Sequence, residues 1–425
     1  MDKKIRKLIE DLKRLGRYEI AEEIGKIYKL SVLEYSKSIH SYIPTATFEP
    51  ALEKAFRTEL SRLDYDASKI DGIMNSLKTH RVLQTGPHTT PSFGPRMLCQ
   101  QWQSTLGISP EDFYLIGMYS GVPFSSDFLP GHLVFHQDNP VSQLLLDDLD
   151  MADKFIDIFE ANEKKLSLIP SKIQDDLVYR SELTIKTREV ISLLTPELKK
   201  YFNISSLKEN SYTKWAMQAN LLLLSDALDK KNVVCLDINE VVTNYIFNII
   251  TKDNHIIYKI LFDPQAREKF VSNFKDVNIF SIPYMSGKYP SQEGLRIESN
   301  FLIGKHTKIE LRPDLVIDAL INKRLCCGTL LTFTILNFIN GFKCLGGFRQ
   351  AVYLPQFKKQ WLKSGLLDEY NFENVPTCNI TTGFLKGSNQ CNIRPLDVVL
   401  GKKFDPDPML SVGEFILSVS DKFLL

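Results

Sequence analysis

An α/β fold with a parallel-sheet core and substantial helical additions is what this sequence predicts, from three observations. A short apolar run, Arg81-Val82-Leu83-Gln84, opens directly into Thr85-Gly86-Pro87-His88. A helical pattern follows (Met97, Leu98, Gln101, Trp102, Thr105) and is closed by Gly107. A second apolar run, Phe113 to Met118, then opens into Ser120-Gly121-Val122-Pro123. Strand, loop, helix and strand in that order mark a βαβ unit, whose helix carries the chain back so that the two strands run parallel. Such a start belongs to a Rossmann-like core, in which ligands bind at the carboxyl ends of the strands.

The elements follow in order. Residues 1–78 read as an N-terminal helical segment. Ile5, Leu8, Ile9, Leu12 and Leu15 recur at three- and four-residue spacing, Gly16 breaks the pattern, and Ile20, Ile24 and Ile27 carry a second helix. Leu52, Phe56, Leu60 and Leu63 share one face of a third helix, and 66–78 is a further short one. Residues 79–145 hold the βαβ start and the candidate site. Residues 146–230 read as a helical insertion, with helices expected over 144–162, 170–195 and 215–229. Its acidic run, Asp147, Asp148, Asp150 and Asp153, fits a solvated helix face better than a metal cluster. Residues 231–425 supply the remainder of the α/β core and a C-terminal region. VVCLDI is a strand, and NYIFNIITKDNHIIYKILFD reads as a hairpin turning at Lys252-Asp253-Asn254. Asp263 is placed to cap a short helix with Pro264 at its first position. Residues 283–313 read as loop around Gly287, Gly294 and Gly304, and Gly328 to Gly341 as a buried core helix or strand too short to cross a bilayer.

Charge narrows the partners. The 52 basic and 51 acidic residues leave a formal charge of +1, which gives no footprint for nucleic acid or an anionic membrane. A small-molecule substrate therefore ranks first. The N-terminus, MDKKIRKLIEDLKRL, has charge throughout and no apolar stretch of the kind a signal peptide or membrane span needs. Seven cysteines at irregular spacing, with no CxxC, read as free thiols of a reducing cytoplasm. The amphipathic stripes of the first helices bury themselves either within the chain or in a homodimer.

The candidate site lies where glycine, proline and histidine concentrate. Four of the seven histidines, His80, His88, His132 and His136, fall in one such stretch. In it, Thr85, Gly86, Thr89 and Thr90 offer backbone and hydroxyl donors to an anion. No Gly-Lys-Ser/Thr follows and no G-x-G-x-x-G spacing is present, so this is neither a P-loop nor a dinucleotide fingerprint. Ser120 and Gly121 form the second loop, with His132 placed to orient the substrate. His88, His132 and His136 make an alternative three-imidazole metal site for zinc or iron, as in a hydrolase or oxygenase. Arg312, held extended by Pro313, suits an anion clamp, and Gly346-Gly347 permits close backbone approach. Cys326-Cys327 sits in apolar surroundings that disfavour a thiolate.

Two stretches together resemble the cysteine-adding ligases of bacillithiol synthesis. That family has a Rossmann-like core with a Thr-Gly-Gln-Gln loop and a Gly-Pro step after an early strand. Further on, an Arg-Pro segment precedes Gly-Gly-x-x-Glu-x-x-Tyr. Here Thr85-Gly86-Pro87-His88 with Gly94-Pro95 is similar to the first, and Leu311-Arg312-Pro313 with Gly346-Gly347-Phe348-Arg349-Gln350-Ala351-Val352-Tyr353 to the second. Pro87-His88 replaces the glutamine pair, Gln350 stands at the acidic position, and Met118-Tyr119-Ser120-Gly121 occupies the place of a Glu-Asp-His segment. The resemblance implies a ligase-like biosynthetic condensation of an amine or amino acid with a polar anionic substrate. His88 would act as acid/base or phosphate contact, Arg312 as clamp, and a nucleotide as the cofactor to look for. A non-catalytic partner subunit is the other reading that the altered motifs allow.

Overall fold

Hydrophobic stripes at helical spacing fill the N-terminal part of the chain, and the computed structural model gives them as five helices. It describes residues 3–122, 133–136, 141–144, 188, 196–203, 211–286, 289–387 and 392–424. Helices α1 (Lys3–Arg14), α2 (Tyr18–Ile27), α3 (Val32–His40), α4 (Pro50–Arg62) and α5 (Ala67–Thr79) precede β1 (Val82–Gln84), α6 (Pro95–Thr105) and β2 (Tyr114–Met118). A hairpin of β3 (Leu133–His136) and β4 (Val141–Leu144) is followed by α7 (Pro196–Phe202), α8 (Tyr212–Leu228) and β5 (Val233–Asp237). Next come α9 (Ile238–Ile249), α10 (Ile256–Phe262), α11 (Pro264–Asn273), β6 (Phe280–Ser286), β7 (Tyr289–Glu298), β8 (Phe301–Ile303) and β9 (Lys308–Glu310). The chain closes through α12 (Pro313–Ile321), β10 (Cys326–Cys327), α13 (Thr329–Phe333), β11 (Lys343–Leu345), α14 (Phe348–Ser364), α15 (Pro395–Val399), α16 (Val412–Leu417) and α17 (Ser420–Leu424).

The central sheet has the order β11-β1-β2-β5, and every pair in it is parallel. Alternate residues face opposite layers. Val82, Tyr114, Ile116, Met118, Val233, Cys235 and Leu345 pack with α1–α3, α6 and α8. Leu83, Leu115, Val234, Leu236 and Cys344 pack with α4, α5 and α9. Burial on both faces is why these strands read as unbroken apolar runs. Helices α6 and α8 lie on one face along the path β1–β2–β5. Helix α9 begins the return on the other face, which ends at β11 beside β1. The strand order therefore reverses between β1 and β11, as in a Rossmann-like core with helical additions. A second sheet, β10-β6-β7-β8-β9, is antiparallel throughout.

The apolar stripe of α1 (Ile5, Leu8, Ile9, Leu12) is buried within the chain, in one cluster with Val412, Phe415 and Phe423 of the C-terminal helices. Among the described residues no helix is long and apolar enough to cross a membrane.

Two expectations are overturned. Residues 244–263 are not a hairpin but belong to α9 and α10, with Lys252-Asp253-Asn254 in the link between them. Isoleucine, valine and tyrosine give the segment strand propensity, but Val241, Val242, Tyr245, Ile246 and Ile249 form a helical stripe buried in the same core as α4. Both starts are capped: Asp237 accepts from the Asn239 N–H and His255 from the Ile257 N–H. Tertiary burial outweighs a propensity that is itself a measure of packing. Likewise, residues 283–313 are mostly strand. Gly294 lies within β7, where a Cβ would collide with Asn278, whereas Gly304 does fall in a loop, the β8–β9 connection, where a Cβ would collide with Glu293. Leu144 ends β4 instead of starting a helix, the helix expected over 215–229 is α8, and most of 144–195 lies outside the described residues.

Gly107 seats α6 against α3. Its N–H donates to Ser36 Oγ (2.7 Å), and an added Cβ would collide with the Lys37 backbone. Gly107→Ala is expected to destabilise the chain by about 2 kcal/mol or more. Gly25→Ala, on the exposed side of α2 with nothing closer than Ile9 Cδ1 at 3.9 Å, should stabilise by about 0.5–1 kcal/mol. Urea unfolding of both variants checks the pair; equal effects would refute the steric assignment.

Candidate functional site

The pairing of β1 with β11 continues past both strand ends. Thr85 N–H donates to the Leu345 carbonyl (2.9 Å), and the Thr85 hydroxyl lies 3.0 Å from both that carbonyl and Gln350 Oε1. Gln350 Nε2 in turn donates to the Cys344 carbonyl (3.0 Å). Gly86 then meets Gly346. A Cβ on Gly86 would stand 3.8 Å from Gly346 Cα and 3.3 Å from the side-chain oxygens of Gln84 and Gln100. Gln100 Nε2 is also 3.2 Å from where a Gly347 Cβ would be. The structure thus joins four of the sequence-predicted residues, Thr85, Gly86, Gly346 and Gly347, at the point where strand order reverses, the position at which open α/β sheets form their ligand crevice.

The loop after β1 does not present its amides to that crevice. Gly86 N–H donates to Gln84 Oε1 (3.1 Å), Thr89 N–H to the Tyr119 carbonyl (2.9 Å), and Tyr119 N–H back to the Pro87 carbonyl (2.9 Å). His88 pairs with Tyr119 as a parallel bridge. Residues 85–89 extend the seam between β1 and β2, so the expected amide cradle is consumed internally. Asn220 of α8 fixes the rest, donating to the Thr90 carbonyl (2.5 Å) and accepting from the Phe93 N–H (3.0 Å).

A second group gathers at the tips of β2 and β5. Asn239 Oδ1 accepts from the N–H groups of Ser120 (3.0 Å) and Gly121 (2.9 Å), and Asn239 Nδ2 lies 3.2 Å from Cys326 Sγ. Gln292 Nε2 donates to the Gly121 carbonyl (2.6 Å) and Ser281 Oγ (2.7 Å). A Cβ on Gly121 would collide with Cys326 Sγ. Beside this clamp Asp237 is fully buried and its N–H donates to Glu59 Oε1 (2.9 Å), while Arg62 forks onto Glu59 at 2.7 and 2.9 Å. Burial, then the charge of Glu240, pushes the Asp237 carboxyl up to about 6, with Arg62 and Ser120 pulling the other way. Burial likewise raises Glu59 to about 7 against Arg62, and it pushes the Cys326 and Cys327 thiols up, keeping them protonated. Thr89 Oγ1 and Gln100 Oε1 are buried with no hydrogen-bond partner among the described residues, while the Ser120 hydroxyl reaches the Asp237 carboxylate and Thr332 the Tyr119 hydroxyl only in loose geometry. Buried polar atoms left unmet are what a polar ligand or water would answer.

Arg312 does not join these residues. It is the N-cap of α12, following β9 at the edge of the antiparallel sheet, and its half-exposed guanidinium pairs with Asp314 (2.7 Å) and Glu310 (4.0 Å). Its Arg-Pro step serves a helix start, with Pro313 in the first turn. His132 lies outside the described residues, and His136 ends β3, opposite Val141. The three-histidine alternative rests on these positions. Among the described residues no group of three or more histidine, cysteine or acidic side chains is placed to hold a metal. His80 lies at the opposite, N-terminal edge of the sheet, in a small cleft with His40, Ser76 and Asp112.

Sequence reasoning passed over Asp237, Asn239, Gln100 and Tyr119. Asp237 carried a usable signal: it is the first carboxylate after VVCL, hence at the carboxyl end of a buried parallel strand. The others need the fold to be seen. No family model matches the chain, and no curated protein matches it.

The buried carboxyl has a measurable consequence. Asp237 in the folded chain titrates at about 6, above its ordinary 3.8, so between those values the folded state holds a proton that the unfolded chain has released. That contribution to stability is whole below the ordinary value and is lost as pH rises through about 6; Glu59 adds to it with the same sign. Between about pH 4 and about pH 8 the urea midpoint should fall by the equivalent of roughly 2–3 kcal/mol on account of Asp237. In Asp237→Asn the fall should be smaller by that amount. Identical pH profiles for the two proteins would refute the assignment.

Proposed function

We propose that the chain is a small-molecule biosynthetic enzyme that joins an amine or amino acid to a polar anionic substrate in a ligase-like condensation. The observation that carries this reading is the meeting of Gly86 with Gly346 at the β1/β11 reversal. In open α/β sheets that position is where ligands bind, and Gly86 keeps the backbone bare there, while the space beside Gly346 is taken by the Gln350 side chain. The resemblance to the cysteine-adding ligases of bacillithiol synthesis supplies the reaction class. Joining an amine to a carboxylate releases water and requires activation, so a nucleoside triphosphate is the co-substrate class this reading needs. Asp237, held near neutrality, has the pKa of a general base for the proton the amine must lose, and Ser120 stands beside it as the relay. His88, on the seam between the first two strands, remains the candidate substrate contact. The inward-turned amides of residues 85–89 favour a second reading, a non-catalytic partner subunit.

Thermal unfolding of the full chain with amino acids, di- and tricarboxylates and nucleotides tests the proposal. A ligand at 100 times its Kd should add about 2.7 kcal/mol. Gly86→Ala places a methyl group 3.3 Å from two flexible glutamine side chains, so the fold should persist while the crevice narrows. A shift in the wild type that weakens about tenfold in affinity in Gly86→Ala supports the site, an effect of the size a close backbone contact carries. No shift with any compound would sink the enzyme reading and leave the partner subunit.

A further inference from the structure

We infer that the turn between α1 and α2, together with the outer face of α1, is a docking surface for an anionic phospholipid membrane. The inference is independent of the reading above and uses none of its residues.

The near-neutral balance of the whole chain conceals a local excess of positive charge. Between Lys3 and Tyr18 seven basic residues stand against two acidic ones, Glu10 and Asp11. The helical repeat that buries Ile5, Leu8, Ile9 and Leu12 turns Lys3, Arg6, Lys7, Lys13 and Arg14 outward, and all five are exposed. Arg14 pairs with Asp11, whereas Lys3, Arg6, Lys7 and Lys13 have no ion-pair partner among the described residues.

Apolar side chains project beside this charge. Leu15 is 52% exposed and Tyr18 61%, one before and one after Gly16. Gly16 holds the turn at φ +73°, and a Cβ there would meet nothing within 4 Å, so the turn stands out from the protein surface. Arg17 donates to the Phe423 carbonyl and Lys359 pairs with Glu19, which ties α17 and α14 to the turn. Those helices add the exposed Leu424 and Leu362, and with them Lys422 and Lys363. Four of the seven large apolar side chains exposed among the described residues are thus on or beside one turn. Exposed apolar groups rimmed by charge mark a contact surface.

The chemistry narrows the occupant. A second copy of the chain would set one basic rim against another, which like charges oppose. A peptide helix needs a groove for its apolar face, and this turn is convex. A lipid surface needs no groove. Leu15 and the Tyr18 ring would enter at headgroup level, where tyrosine suits the border between water and hydrocarbon, while the surrounding lysines face phosphate groups. Charge and apolar insertion together are the two signals that peripheral binding takes.

Co-sedimentation of the full chain with vesicles tests it, using phosphatidylcholine alone and phosphatidylcholine mixed with phosphatidylserine. The chain should bind the mixed vesicles about tenfold or more tightly than the neutral ones, and added salt should release it. Lys7→Gln combined with Lys13→Gln should weaken that binding by about tenfold or more. Leu15→Gln combined with Tyr18→Gln should weaken it by about as much, with an unchanged melting curve because both side chains are exposed. No binding of the wild type to mixed vesicles overturns the inference, as does equal binding to both kinds of vesicle or a lysine variant that binds like the wild type. Binding that needs the lysines but not Leu15 and Tyr18 overturns it in favour of an acidic protein or nucleic acid. Dimerisation without vesicle binding, abolished by the Leu15 and Tyr18 changes in sedimentation equilibrium, overturns it in favour of a second copy.

Discussion

Strand β1 is three residues long, and both of its edges are taken, by β2 on one side and β11 on the other. Its register with β11, Val82 to Lys343, Leu83 to Cys344 and Gln84 to Leu345, joins segments from opposite ends of the chain. The entropy of closing so long a loop grows only slowly with its length. Burial of Val82, Leu83, Cys344 and Leu345 between two helical layers opposes it. Once that pair forms, the loops after β1 and β11 must leave the sheet side by side. The Gly86–Gly346 approach, the Thr85–Gln350 link and the neighbouring starts of α6 and α14 all depend on it.

The antiparallel sheet has a definite part in the site. Gln292, Ser281 and Cys326 come from β7, β6 and β10, and with Asn239 they hold Gly121 by its N–H, its carbonyl and its bare α-carbon. Gly121 is thereby fixed between two sheets with no room for a methyl group. Asn239 is two residues past Asp237, the cap of α9, so one short stretch starts a helix, clamps a loop and positions Asp237. Networks of this kind are worth most when every member is met, and here the Ser120 hydroxyl answers the Asp237 carboxylate.

Much of this was legible in the sequence. The strands around Val82, Phe113–Met118 and VVCLD were readable because both faces are buried, leaving uninterrupted apolar runs bounded by turn residues. The cap at Asp263 and the break at Gly16 were readable because they are local backbone chemistry. What failed depended on partners far along the chain. Residues 244–263 have strand-like composition, and only the core they share with α4 makes them helical. Gly294 looks like a loop residue until Asn278 is seen filling the missing side-chain space within β7. Arg312 looked like an anion clamp because Arg-Pro is extended, but the same restriction equally suits a helix start. At the site, the glycines were found by composition. The donors and acceptors that matter were not, because whether Thr85, Gly86 and Thr89 face a ligand or the protein is decided by β11 and β2.

The carboxyl edge of the central sheet is electrostatically divided. At the β1/β11 end stand two uncapped helix starts with Arg96 and Arg349 and no acid in either first turn. At the β2/β5 end Glu59, Asp237 and Glu240 outnumber Arg62 and Lys323. The proposed condensation would place its anion at the first end and its amine at the second, the β11/β1 and β2/β5 pairs being neighbours in one sheet. A reaction that joins an anionic substrate to an amine needs that arrangement, because each substrate binds in its charged form while the amine must become neutral to attack. A carboxyl held near 6 takes the amine's proton most readily as pH rises through that value. Catalysis by this edge would therefore gain on the alkaline side, where the folded state gives up the stability carried by Asp237. On that proposal the same side chain at the end of β5 would carry both the stability and the reactivity.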